Sequence, residues 1–114
     1  MAPIRLDAER VAELKVFEAD ELSEIANETI ASLDELSTQL TQAISSGDLR
    51  GAASLAHAAR GEAMVVGAME LVGELQSFED ALHDGDPARA LEGADRIGEL
   101  WPDTRAAIEQ LGAG

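Results

Sequence analysis

Residues 20–47 read DELSEIANETIASLDELSTQLTQAISSG. Leu22, Ile25, Ala26, Thr29, Ile30, Leu33, Leu36, Leu40 and Ile44 recur at steps of three and four. On a helix of 3.6 residues per turn they form one wide apolar stripe, with Glu21, Glu24, Glu28 and Glu35 turned towards solvent. Asp20 is placed to cap this helix and Ser46-Gly47 to end it. So long an amphipathic helix needs other helices to cover its stripe.

The flanking sequence supplies them. Asp7 can cap a short first helix, about Ala8 to Phe17, with Val11 and Leu14 on one face. Asp48 can cap a segment from Leu49 to about Val66, which Gly67 would close from a left-handed C′ position. A fourth helix carries Met69, Val72, Leu75, Phe78 and Leu82 inward and stops at Asp84-Gly85. Asp86-Pro87 is an N-cap followed by proline at the first helical position, and Leu91, Ala94, Ile97 and Leu100 continue the pattern. Pro102 should break or kink this helix after Trp101, leaving Asp103 to Leu111 as a short last piece. Gly112-Ala113-Gly114 reads as a frayed tail.

Short connections between long amphipathic helices imply antiparallel neighbours. The expected fold is all-α, an up-and-down antiparallel four-helix bundle with a short extra N-terminal helix. It would be one domain over residues 1–114, with a bundle core at about 20–111. Composition agrees: Ala and Leu dominate, Tyr is absent, and Phe17, Phe78 and Trp101 are the only aromatics, so strands are poorly supported.

A net charge of −15 argues against nucleic acid, whose phosphates need Lys and Arg, and against a basic membrane-surface helix. Without cysteine there are no disulfides, thiolate metal sites or thiol nucleophiles. No apolar run approaches the roughly 20 residues that span a bilayer. Met1-Ala2-Pro3-Ile4-Arg5 lacks the apolar core of a signal peptide, so a cytoplasmic location is expected. No phosphate-binding glycine loop, dinucleotide fingerprint, calcium loop or Glu-x-x-His metal pair is present, and no cofactor of the chain's own is expected. His83 lies near a helix end, where a cation suits the dipole and no further role is needed.

The third helix holds the chemistry. At 100° per residue, Leu49, Ala52, Leu55, Ala56, Ala59, Ala63 and Val66 fall on the packing side. His57 shares the outward face with Arg50, Ala53, Ser54, Arg60, Gly61 and Met64. Arg60, at +3, can pair with an anion on the imidazole. Gly61, at +4, costs roughly 1 kcal/mol against alanine in an exposed helix and keeps the space beside the ring clear. An imidazole is partly neutral near pH 7, so a ring nitrogen can attack phosphorus. An incidental surface histidine is the plain alternative, and the spacing argues against it.

His57-Ala58-Ala59-Arg60-Gly61-Glu62-Ala63-Met64-Val65-Val66-Gly67 resembles the signature of histidine phosphotransfer (HPt) domains: histidine, two residues, Lys or Arg, glycine, five residues, glycine. The resemblance extends in helix order from about Asp20 to Leu111. It implies a phosphorelay intermediate in which His57 is the phosphoacceptor, through Nε2, Arg60 compensates phosphoryl charge and Gly61 gives the partner clearance. Many members carry a polar residue on the following helix that orients the ring; Gln76 is the candidate, with Glu79 the alternative. Arg50, Ala53, Ser54 and Met64 would form the docking surface. Arg60 stands where lysine is commoner, Glu62 where a small residue is usual but about 140° from His57, and Met64 where small residues are common.

The resemblance implies response-regulator receiver domains as partners, with Mg²⁺ on the receiver, and a hybrid histidine kinase as a further partner. It implies a monomeric phosphoryl carrier without kinase or phosphatase activity of its own. Two other readings stay open: the phosphoacceptor module of a chemotaxis-type histidine kinase, and a non-transferring helical adaptor that binds through the His57 face.

Overall fold

The structure, a computed structural model, describes residues 4–113. Met1-Ala2-Pro3, read above for a signal peptide, and Gly114 lie outside the described residues. Five helices follow one another: α1 (Ala8–Leu14), α2 (Ala19–Ser45), α3 (Leu49–Val65), α4 (Met69–His83) and α5 (Pro87–Gly112). Among the described residues there is no strand. No helix among the described residues is long and apolar enough to cross a membrane.

The turns explain why the chain folds back on itself so tightly. Gly47, Gly67 and Gly85 each take positive φ just past a helix end. The amide after each reaches back to a carbonyl in the last turn: Asp48 to Ala43, Ala68 to Ala63 and Asp86 to Ala81, all at 2.9 Å. These bonds close one helix, and the donor residue is at once the N-cap of the next. The Asp48 carboxylate accepts from Gly51 N at 2.9 Å, and that of Asp86 from Arg89 N at 3.1 Å. One residue thus serves two helices, which keeps each connection short.

α2–α5 form a closed ring, α2 against α3, α3 against α4, α4 against α5 and α5 back on α2. Contacts climb one helix as they descend its neighbour. His57 meets Glu79 where Arg60 meets Gln76, Glu74 meets Arg96 where Phe78 meets Gly93, and Asp34 meets Trp101 where Ala26 meets Gly112. Inside sit Leu22, Ile30, Leu33, Leu75, Phe78, Ile97 and Ile108. The fully buried residues of α3 are all alanines, Ala52, Ala56, Ala59 and Ala63, with Leu55 partly buried beside them, so it lies close on the core while its far face stays in water.

α1 closes one end. Asp7 N donates to Gly67 O and Arg10 Nε to Val65 O, both at 2.8 Å, and Leu14 is buried. α3 has no basic residue in its last turn, so Arg10 supplies the cation at that carbonyl end from outside the helix. Gly67 is therefore more than a stop. A Cβ there would lie 3.0 Å from Arg10 Cβ and 3.2 Å from Asp7 N, in addition to the left-handed backbone.

Several expectations are corrected. α1 ends at Leu14, not Phe17, with Val16 and Phe17 exposed beyond it. α2 is capped by Glu18, whose N–H is taken by the Glu21 carboxylate at 3.2 Å, so Asp20 lies in the first turn. Leu49 and Met69, placed inward above, are 45% and 50% exposed. Each is the first helical residue after a tight turn; Val66 and Ala68 fill the α3–α4 end instead.

Pro102 does not break α5. Pro102 and Gly98, the residue four earlier whose carbonyl loses its hydrogen-bond donor, both lie on the exposed side of the helix. Burial of Ile97, Thr104 and Ile108 holds the helix on both sides. Nor is Gly112 part of a frayed tail: it ends α5 close against Ala26 and Ser23 of α2.

Candidate functional site

His57 projects from the middle of α3 with 71% of its side chain exposed. The alanine face that packs the helix down leaves the ring nowhere to go but outward. Arg60, one turn on, is held back against α4, where Glu79 is only 17% exposed.

Two side chains converge on one carboxylate. His57 Nδ1 lies 3.1 Å from Glu79 Oε1, and Arg60 Nε lies 2.9 Å from Glu79 Oε2. The second contact is an ion pair without hydrogen-bond alignment, so Oε2 is buried and held by charge alone. Arg60 Nη2 is also 2.9 Å from His57 Nδ1, and Arg60 Nη1 donates to Gln76 Oε1. Gln76 Nε2 in turn donates to Asp80 Oδ1 at 3.0 Å.

Nδ1 cannot satisfy both neighbours at once. A carboxylate only accepts, so the Glu79 contact requires Nδ1–H and leaves the lone pair on Nε2. A guanidinium only donates, so the Arg60 contact requires a lone pair on Nδ1 and puts the proton on Nε2. Whichever neighbour holds Nδ1 therefore decides whether the outer nitrogen is a nucleophile. Nε2 itself has no partner among the described residues.

The ring's partner on α4 is Glu79. Gln76, the candidate chosen from sequence, touches Arg60 and Asp80 instead. The two differ by three positions, and only the register between α3 and α4 separates them; no local sequence signal states that register. Asp80, at the end of the chain of hydrogen bonds, was missed altogether. Arg50, Ser54 and Met64 are exposed along α3 and Ala53 is half-buried, as the helical spacing placed them. Gly61 is exposed, and a Cβ added there would meet nothing within 4 Å. Among the described residues no cluster of His, Asp or Glu is placed to hold a metal.

Over residues 24–114 the chain matches the model of the Hpt domain, a family of helical phosphocarrier modules that work with receiver domains in phosphorelays. The match begins inside α2 and takes in all of α3, α4 and α5, and the chain belongs to this family. α1 lies outside it. No curated protein and no solved structure matches the chain.

Proposed function

We propose that the protein relays a phosphoryl group between receiver-domain aspartates through a phosphohistidine at His57, on an up-and-down four-helix bundle. The observation that carries this reading is the exposed His57 ring, held by Nδ1 on a half-buried carboxylate with Nε2 unpartnered among the described residues.

With Nδ1–H given to Glu79, the Nε2 lone pair attacks the phosphorus of a receiver aspartyl phosphate in line. The N–P bond forms as the P–O bond to the aspartate breaks, and the carboxylate leaves with its electron pair. The ring becomes a phosphorylated imidazolium, and Glu79, already at Nδ1, balances its new charge. Arg60 turns from Nδ1 towards the phosphoryl oxygens, a short movement for a side chain one helical turn away. Attack by the carboxylate of a second receiver reverses the sequence. The Mg²⁺ that neutralises phosphoryl charge belongs to the receiver, and this chain supplies a positioned nucleophile and counter-charge. Gly61 gives the receiver room to bring its phosphate to Nε2.

The test is to incubate the protein with phosphorylated receiver domains and compare His57→Gln. Acid-labile, alkali-stable label on the unmodified protein alone is the expected result. Label acquired only from a kinase and ATP would favour a kinase module, and binding without label an adaptor. Gly61→Leu should keep the helix and lose transfer; unchanged transfer would remove clearance from the account.

A further inference from the structure

Nine glycines are described, and seven have a reason on the molecule. Gly47, Gly67 and Gly85 need positive φ. Gly51 leaves room for the capping Asp48 carboxylate, and Gly93 and Gly112 lie where α5 packs on α4 and α2. Gly61 clears the side of His57. Gly73, in the middle of α4, and Gly98, in α5, have none: each is exposed and helical, and a Cβ there would meet nothing within 4 Å; of the two, Gly73 lines a groove. An alanine would gain roughly 1 kcal/mol of helix propensity at no steric cost.

Gly73 lies in a groove of about 780 Å³ between α4 and α5, lined also by Ile4 of the N-terminal segment. Met69 and Leu100 give it apolar flanks and Ser77 a hydroxyl. Glu70, Glu99 and Asp103 edge it, and none of these pairs with a cation among the described residues. Its one cation, Arg96, is taken by Glu74 at 2.8 Å, and that bond holds the guanidinium above its ordinary pKa. The groove thus has apolar flanks, a missing side chain at Gly73 and negative edges at Glu70, Glu99 and Asp103, of which Glu99 also acts on Arg96. Nucleic acid and anionic lipid are repelled, and no metal cluster is present among the described residues.

We propose that this groove is a second docking surface, which takes a basic amphipathic helix of a partner protein, with an apolar side chain over Gly73 and lysines or arginines against Glu70, Glu99 and Asp103. Two neighbouring helices present the furrow into which a third packs by its ridges, and apolar anchors with flanking charge are how such a helix is read. Glu74, on the groove side, and Glu79, at His57, are about 140° apart around α4. A partner seated here leaves the His57 face open, so docking and phosphotransfer can be simultaneous.

The probe is a synthetic helical peptide of about 15 residues, the length of α4, with a leucine stripe flanked by lysines. It is titrated into isotopically labelled full-length protein and followed by NMR, alongside a control with glutamate for every lysine. Shifts concentrated at Met69, Gly73, Ser77 and Leu100 are expected, with affinity about tenfold weaker in Gly73→Leu. Circular dichroism should show that variant to be at least as helical as the parent. Shifts that follow the glutamates of α2 or centre on His57 would overturn the proposal. So would equal binding of the glutamate peptide, undiminished binding by Gly73→Leu, or no binding.

Discussion

Two seams on opposite edges of the helical ring hold the same three parts: a carboxylate, an arginine and a ring nitrogen. Between α2 and α5, Asp34 accepts from Trp101 Nε1 at 2.7 Å and from Arg105 Nη1 at 2.8 Å. Between α3 and α4, Glu79 sits 3.1 Å from His57 Nδ1 and 2.9 Å from Arg60 Nε. The charges are alike; the rings are not. An indole has one N–H and no lone pair to offer, so the Asp34 trio is complete once formed. An imidazole bound through one nitrogen still has another, and His57 turns that one to water. The first trio fastens two helices, whereas the second, on the proposed reading, fastens a nucleophile.

The strongest way to break this comparison is to exchange the parts that should matter against those that should not. His57→Gln should take phosphoryl label from receiver domains to background, while Asp34→Asn leaves it unchanged; label loss in both would mean that the seams are not distinct. Next comes Glu79→Gln, which should slow transfer about tenfold, some 1.4 kcal/mol of barrier, by loosening the choice of tautomer at Nδ1. Rapid-quench labelling checks the rate, and a urea midpoint close to the parent's would show that the loss is not one of folding.

On the other edge, Trp101→Phe removes one charge-assisted hydrogen bond and should cost about 1 kcal/mol in urea unfolding, followed by circular dichroism, with transfer untouched. The smallest effect belongs to Gly61→Ala. It should gain less than about 1 kcal/mol of stability, since its Cβ enters open space. A loss of stability there would mean that Gly61 serves the fold and not the site.

Much of this was legible in the sequence because it is local. The alanine stripe of α3 and the 100° spacing put His57 outward, and Asp48, Asp86-Pro87 and the glycines after α2, α3 and α4 marked the turns where they fall. What was not legible depends on other helices. Pro102 reads as a breaker until burial of Ile97, Thr104 and Ile108 is set against it. Met69 and Leu49 read as core until the tight turns before them fix their direction. Gln76 and Glu79 cannot be told apart until α3 and α4 are in register. Gly67 reads as a helix stop, and the docking of Asp7 and Arg10 upon it, nearly sixty positions away in sequence, leaves no local mark.

The Asp34 seam has an optical consequence. With no tyrosine and one tryptophan, the chain emits near-ultraviolet light from Trp101 alone, and that indole is tied between α2 and α5. Its emission is a built-in gauge of whether the ring is closed at that edge, shifting to the red as the seam parts. On the proposed reading, phosphotransfer at His57, across the bundle, should leave that colour unchanged, so that melting and transfer can be followed in one sample.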